Sequence, residues 1–151
     1  MNRLFAMALA ALATLAIAQS GSGGLYIAGA GFTFRQAVDQ GLAVNPPGQR
    51  FFVLALPPQI QALALDAPAS VATFRDRAAQ SGAVFLVCQR DVASGAVNLA
   101  NLVSGVAAVR GWPPPGSNAL PPGQNYFPDE NRADLPQSEE LLRRLRSTCS
   151  S

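Results

Sequence analysis

Gly82-Ala83-Val84-Phe85-Leu86-Val87-Cys88-Gln89-Arg90 is the stretch that decides the fold. Ala83 to Cys88 carries no charge, and six residues are too few for an independent helix. An unbroken apolar run of that length fits a strand covered on both faces, as in the middle of a parallel sheet. Upstream, Val71, Phe74 and Ala78 recur at helical spacing, with Arg75, Asp76, Arg77 and Gln80 directed outward. Ser70 is placed to cap that helix, and Gly82 falls where a left-handed C-terminal residue is needed. Further upstream, Phe51 to Leu56 is a second buried strand, ended by Pro57-Pro58. Leu25 to Ala28 is a shorter strand, and Phe34, Ala37, Val38 and Leu42 mark a helix stopped by Asn45-Pro46-Pro47-Gly48. Downstream, a short helix or turn passes through Arg90, Asp91 and Gly95, followed by Leu99 to Leu102 and a last short strand, Val106 to Val109. Strands separated by helices and short loops specify right-handed crossovers and a three-layer α/β sandwich.

The composition bounds the chemistry. At 151 residues, 49% hydrophobic and 13% charged, the chain holds one domain with a modest core. All 11 basic residues are arginine and there is no histidine. A Schiff base, a phosphate-binding lysine, a Ser-His-Asp triad and a histidine-bearing metal site are therefore excluded. The net charge of +2 is small and dispersed, which argues against nucleic acid. Arg143, Arg144 and Arg146 fall in the last turns of an expected helix, where cations are favoured. Gly29-Ala30-Gly31 lies between the first strand and its helix, where a dinucleotide fingerprint would stand. The third glycine of that fingerprint is replaced by Phe34 and no ribose-binding acid follows, so the segment reads as a tight turn. Asp129-Glu130 read as a solvated turn, since adjacent acids do not flank a scissile bond. No cofactor and no metal ligand set is expected.

The N-terminus carries an export signal. After Arg3, the 15 residues Leu4 to Ala18 form an apolar stretch that closes on Ala16-Ile17-Ala18, the small-x-small pattern of a signal peptidase site. The stretch is shorter than a bilayer span, so no membrane span is expected after cleavage. Residues 1–18 are read as a signal peptide and 19–24 as a flexible lead-in. Residues 25–112 form the α/β domain, and 113–151 a Pro-rich tail ending in a helix over 136–147. Leu141, Leu142 and Leu145 are its apolar stripe, ready to dock on the domain or on a partner. The expected location is the periplasm or cell envelope of a bacterium.

Cys88 is the leading candidate for a functional residue. It ends a parallel strand, the edge where open α/β sheets place their functional groups, and the following helix start and Arg90 would favour a thiolate. Three readings stay open: a reactive thiol, a disulfide to Cys149, and a buried small hydrophobe. A bridge closing about 62 residues would stabilise the fold by about 4 kcal/mol. Arg90 and Asp91 read either as surface charge at a helix start or as groups that tune the Cys88 thiolate.

Residues 51–112 resemble the DsrE/DsrF-like family. The likeness rests on Gly82 to Cys88, a strand of the type V-x-F-x-x-C after a helix ending in Gly, then on Gly95, and on Leu102-Val103-Ser104-Gly105-Val106-Ala107-Ala108-Val109. It extends over 25–44 if these are the family's first strand and helix. The resemblance implies a flavodoxin-like parallel sheet of about four to five strands with helices on both faces. It also implies trimers or hexamers and a sulfur-relay role, with Cys88 carrying sulfane sulfur as a persulfide between other sulfur-relay or thiol proteins. At most this is a sulfurtransferase-like carrier. Most members are cytoplasmic, whereas this chain carries an export signal, a Pro-rich tail and Cys149, which would act as a resolving cysteine or as a disulfide partner. The reading from another class is a non-catalytic structural or binding module held by a Cys88–Cys149 disulfide.

Overall fold

The computed structural model describes residues 23–112, 136 and 138–150. The expected signal peptide, most of the expected lead-in, the Pro-rich segment and Asp129-Glu130 lie outside them. Four strands form one sheet: β1 (Leu25–Ala28), β2 (Phe51–Ala55), β3 (Ala83–Cys88) and β4 (Ala107–Val109). All neighbours are parallel and the order is strictly sequential, β1-β2-β3-β4. The helices are α1 (Phe34–Val44), α2 (Ala69–Gln80), α3 (Gln89–Ala93) and α4 (Glu139–Thr148). Short 3-10 turns at Gln59–Leu63 and Leu99–Asn101 complete the connections.

Sequential order has a structural consequence. Crossovers of one hand that always step in the same direction deliver their helices to the same face of the sheet. The buried residues follow this rule. Phe34, Ala37 and Val38 of α1, Ile60 and Leu63 of the 3-10 turn, and Ala78 of α2 pack with Ala28, Phe51, Val53, Ala55, Phe85 and Val87. The opposite face, built from Leu25, Phe52, Leu54, Leu86, Ala107 and Val109, is covered by Leu141, Leu145 and Cys149. Among the described residues the third layer is therefore α4. With both faces covered, all five residues of β2 are buried, which explains its unbroken apolar sequence.

Local sequence explains most boundaries. Thr33 caps α1 with a capping box: its hydroxyl accepts from Gln36 N, and Gln36 Oε1 accepts from Thr33 N. At the other end, Asn45 Nδ2 donates to the Gly41 carbonyl at 2.7 Å. Gly82 follows α2 with φ +113°, and a Cβ there would overlap the Gln49 backbone.

Four expectations are corrected. Leu42 is exposed and Gly41 is buried in its place, because the Phe51 ring lies where a Cβ on residue 41 would stand. The N-cap of α2 is Pro68 rather than Ser70, and it makes no side-chain cap bond. Helix α4 begins at Glu139 rather than 136. Arg75, expected outward, is 5% exposed. Its Nη1 donates to the carbonyls of Ala62 at 3.1 Å and Ala64 at 3.0 Å, and its Nε to Asp76 at 3.0 Å. The guanidinium clamps the turn after β2 onto α2, which satisfies the charge that burial would otherwise penalise. Replacing Arg75 by Ala is expected to lower the unfolding free energy by about 1–2 kcal/mol in urea titrations, since it removes the charged donor shared by the part-buried carbonyls of Ala62 and Ala64, the second of which keeps only Ala67 N.

Candidate functional site

The candidate site lies at the carboxyl end of β3. Cys88 is the last residue of that strand, in register with Val109 of β4, and its extended backbone (φ −81°, ψ 135°) starts α3. Its sulfur is bonded to that of Cys149, the residue that caps the C-terminus of α4. The two Cα atoms are 5.2 Å apart, within the range that a disulfide requires, and the sequence separation is 61. Cys88 is 0% exposed and Cys149 is 2% exposed. The bond is thus sealed between the sheet and the helix.

Several residues make this junction fit. Gly111, two residues beyond β4, lies against the backbone of Cys149, and a Cβ at that position would overlap it. Trp112 N reaches Ser150 Oγ at 3.0 Å and the Arg146 carbonyl at 3.3 Å, and the Arg146 guanidinium stands over the Trp112 ring. Arg90 Nη1 donates to the carbonyl of Ser150. A cation at the C-terminal end of a helix is favoured by the partial negative charge of the last carbonyls, so Arg90 and the end of α4 suit each other.

Arg90 and Asp91 are therefore both close to Cys88 in the chain, but Arg90 is directed to the backbone that follows Cys149. Arg90 Nε lies 3.9 Å from Asp91 Oδ1, a loose ion pair. The Asp91 side chain is 13% exposed, and its Oδ2 has no hydrogen-bond partner among the described residues. The Asp91 carbonyl accepts from Val97 N at 3.1 Å and Ser94 Oγ at 3.2 Å, which shapes the turn after α3. Helix α3 is only five residues long, too short to supply a sizeable dipole.

As it stands, the junction presents no thiolate, and among the described residues no cysteine is unpaired. Nor do these residues contain a group of three or more His, Cys, Asp or Glu able to hold a metal ion. None of their helices is long and apolar enough to cross a membrane. No family model, no curated protein and no solved structure matches the chain.

Sequence reasoning placed Cys88 on the correct strand end and included Cys149 among its partners. It missed Gly111, whose only sequence signal is its position just past an apolar strand. It also missed the attachment of Arg90 to the end of α4, which depends on how a helix about fifty residues later docks.

Proposed function

We propose that this chain is an exported, non-catalytic α/β module that works by binding or assembly and is held together by its single described disulfide. The buried Cys88–Cys149 bond carries this reading. It engages the one nucleophile type that a chain without His or Lys could readily activate, and it does so out of reach of solvent. A further observation favours binding. Phe32, Leu65 and Leu99 are exposed large apolar side chains, and each rides on the connection that leaves the carboxyl end of β1, β2 or β3. In open parallel sheets that edge is where ligands and partners meet the fold.

A second reading, the sulfur carrier, is favoured by the position of Cys88 at that same edge, with Arg90 two residues on in the chain. It would pass sulfane sulfur between thiol proteins and assemble as trimers or hexamers, in keeping with the DsrE/DsrF-like resemblance. In that case the disulfide is a resting form that must be reduced before Cys88 can accept sulfur.

Reduction with dithiothreitol, removal of the reductant and incubation with polysulfide, in buffer and in parallel in urea, followed by intact mass over time, separates the two. The module reading expects the folded protein to gain one sulfur no faster than the unfolded chain. A faster gain in the folded protein that disappears in Cys88→Ala would overturn it in favour of the carrier.

A further inference from the structure

The two faces of the sheet are covered in different ways. One is covered by α1, the 3-10 turn at Gln59–Leu63 and α2, which are the connections between strands and cannot leave without breaking the topology. Among the described residues the other is covered by α4, which follows β4 and joins no two strands of the sheet. Helix α4 contributes Leu141, Leu145 and Cys149 to the buried layer, with Leu142 half-buried beside them. Ten residues are too few for a helix to persist alone in water. The anchors of α4 also gather at one turn: the disulfide at Cys149, Arg90 on the Ser150 carbonyl, and Trp112 N on Ser150 Oγ. Away from that turn, Arg144 reaches the Leu25 carbonyl at 3.3 Å.

We infer that the Cys88–Cys149 bond is a reducible latch: a dithiol reductant opens it, α4 leaves the sheet, and Cys88 becomes an accessible thiol on a domain that remains folded. The chemistry balances as ordinary thiol–disulfide exchange. A thiolate of the reductant attacks Cys149 Sγ, which caps the helix end. A bond forms between those two sulfurs, the Cys88–Cys149 bond breaks, and its electron pair leaves on Cys88 Sγ. The reductant's second thiolate then attacks its own sulfur in the mixed disulfide, and the electron pair leaves on Cys149 Sγ. The reductant ends as a disulfide, oxidised by two electrons, and two protons restore the Cys88 and Cys149 thiols. Because both sulfurs are buried, the last turn of α4 must loosen before attack, which makes Arg90 a gate on the rate.

This inference goes beyond the binding module and can fail without it. The test uses the full chain with dithiothreitol as the reductant, and hydrogen exchange read by mass spectrometry before and after complete reduction. The latch predicts that peptides from α4 lose at least about tenfold in protection while those from β2 and β3 keep theirs. Unchanged protection of α4 would overturn the latch and leave the module reading standing. Simultaneous loss from α4 and the sheet would also overturn it, showing a staple that the whole fold needs. A kinetic arm applies whether or not the reduced chain stays folded. Arg90→Met is expected to speed reduction by dithiothreitol roughly tenfold, the effect of losing a charged hydrogen bond. An unchanged rate would show that the helix end does not gate the bond.

Discussion

Replacing Cys88 and Cys149 together by alanine is expected to lower the unfolding free energy by about 4 kcal/mol. The chain-entropy argument sets the size: a cross-link across a separation of 61 residues removes many conformations from the unfolded ensemble. Alanine is the appropriate substitute because a serine hydroxyl at these buried positions would add an unsatisfied polar group. Urea unfolding of the oxidised parent and the double variant measures the difference. A loss below about 1 kcal/mol would show that the bond constrains nothing the rest of the fold does not already fix.

The second large effect separates the two faces of the sheet. Phe51 and Phe52 are neighbours on β2, each 1% exposed, but they point to opposite layers. Phe51 meets Tyr26 edge-on at 5.9 Å and fills the space left by Gly41 on α1. Phe52 lies in the layer that α4 closes. Phe51→Ala and Phe52→Ala are each expected to cost about 3–5 kcal/mol in the oxidised protein, because each removes a fully buried ring and leaves a cavity. After reduction their effects should part. Phe51→Ala keeps its full effect, since its layer is made of strand connections. Phe52→Ala should lose roughly half of its effect, since departure of α4 already exposes that face. Equal effects in both redox states would mean that α4 stays docked without its bond.

The parts of this account that were legible in the sequence have a common physical origin. Strand β3 matches its expected span, Ala83 to Cys88, because an apolar run between Gly82 and Gln89-Arg90 is recognised from local composition alone. Strand β2 and the stop of α1 at Asn45-Pro46 were readable for the same reason. What escaped depends on contacts far apart in sequence. Arg75 looks like a surface residue until the carbonyls of Ala62 and Ala64 are placed beside it. Leu42 carries the right apolar character, but the Phe51 ring selects Gly41 for the buried position. The fate of Cys88 stayed open because it turns on where α4 docks, and the leucine stripe of α4 fits the domain's own sheet as well as a partner's surface. Once Leu141 and Leu145 settle on the β1–β4 face, Cys149 arrives at the end of β3.

The most direct test of the account is peptide mapping of the natively purified protein, digested without reductant after brief exposure to iodoacetamide. The structure predicts one linked species joining the peptide that contains Cys88 to the peptide that contains Cys149, with neither cysteine alkylated. Recovery of both peptides separately, each alkylated in the folded protein, would contradict it.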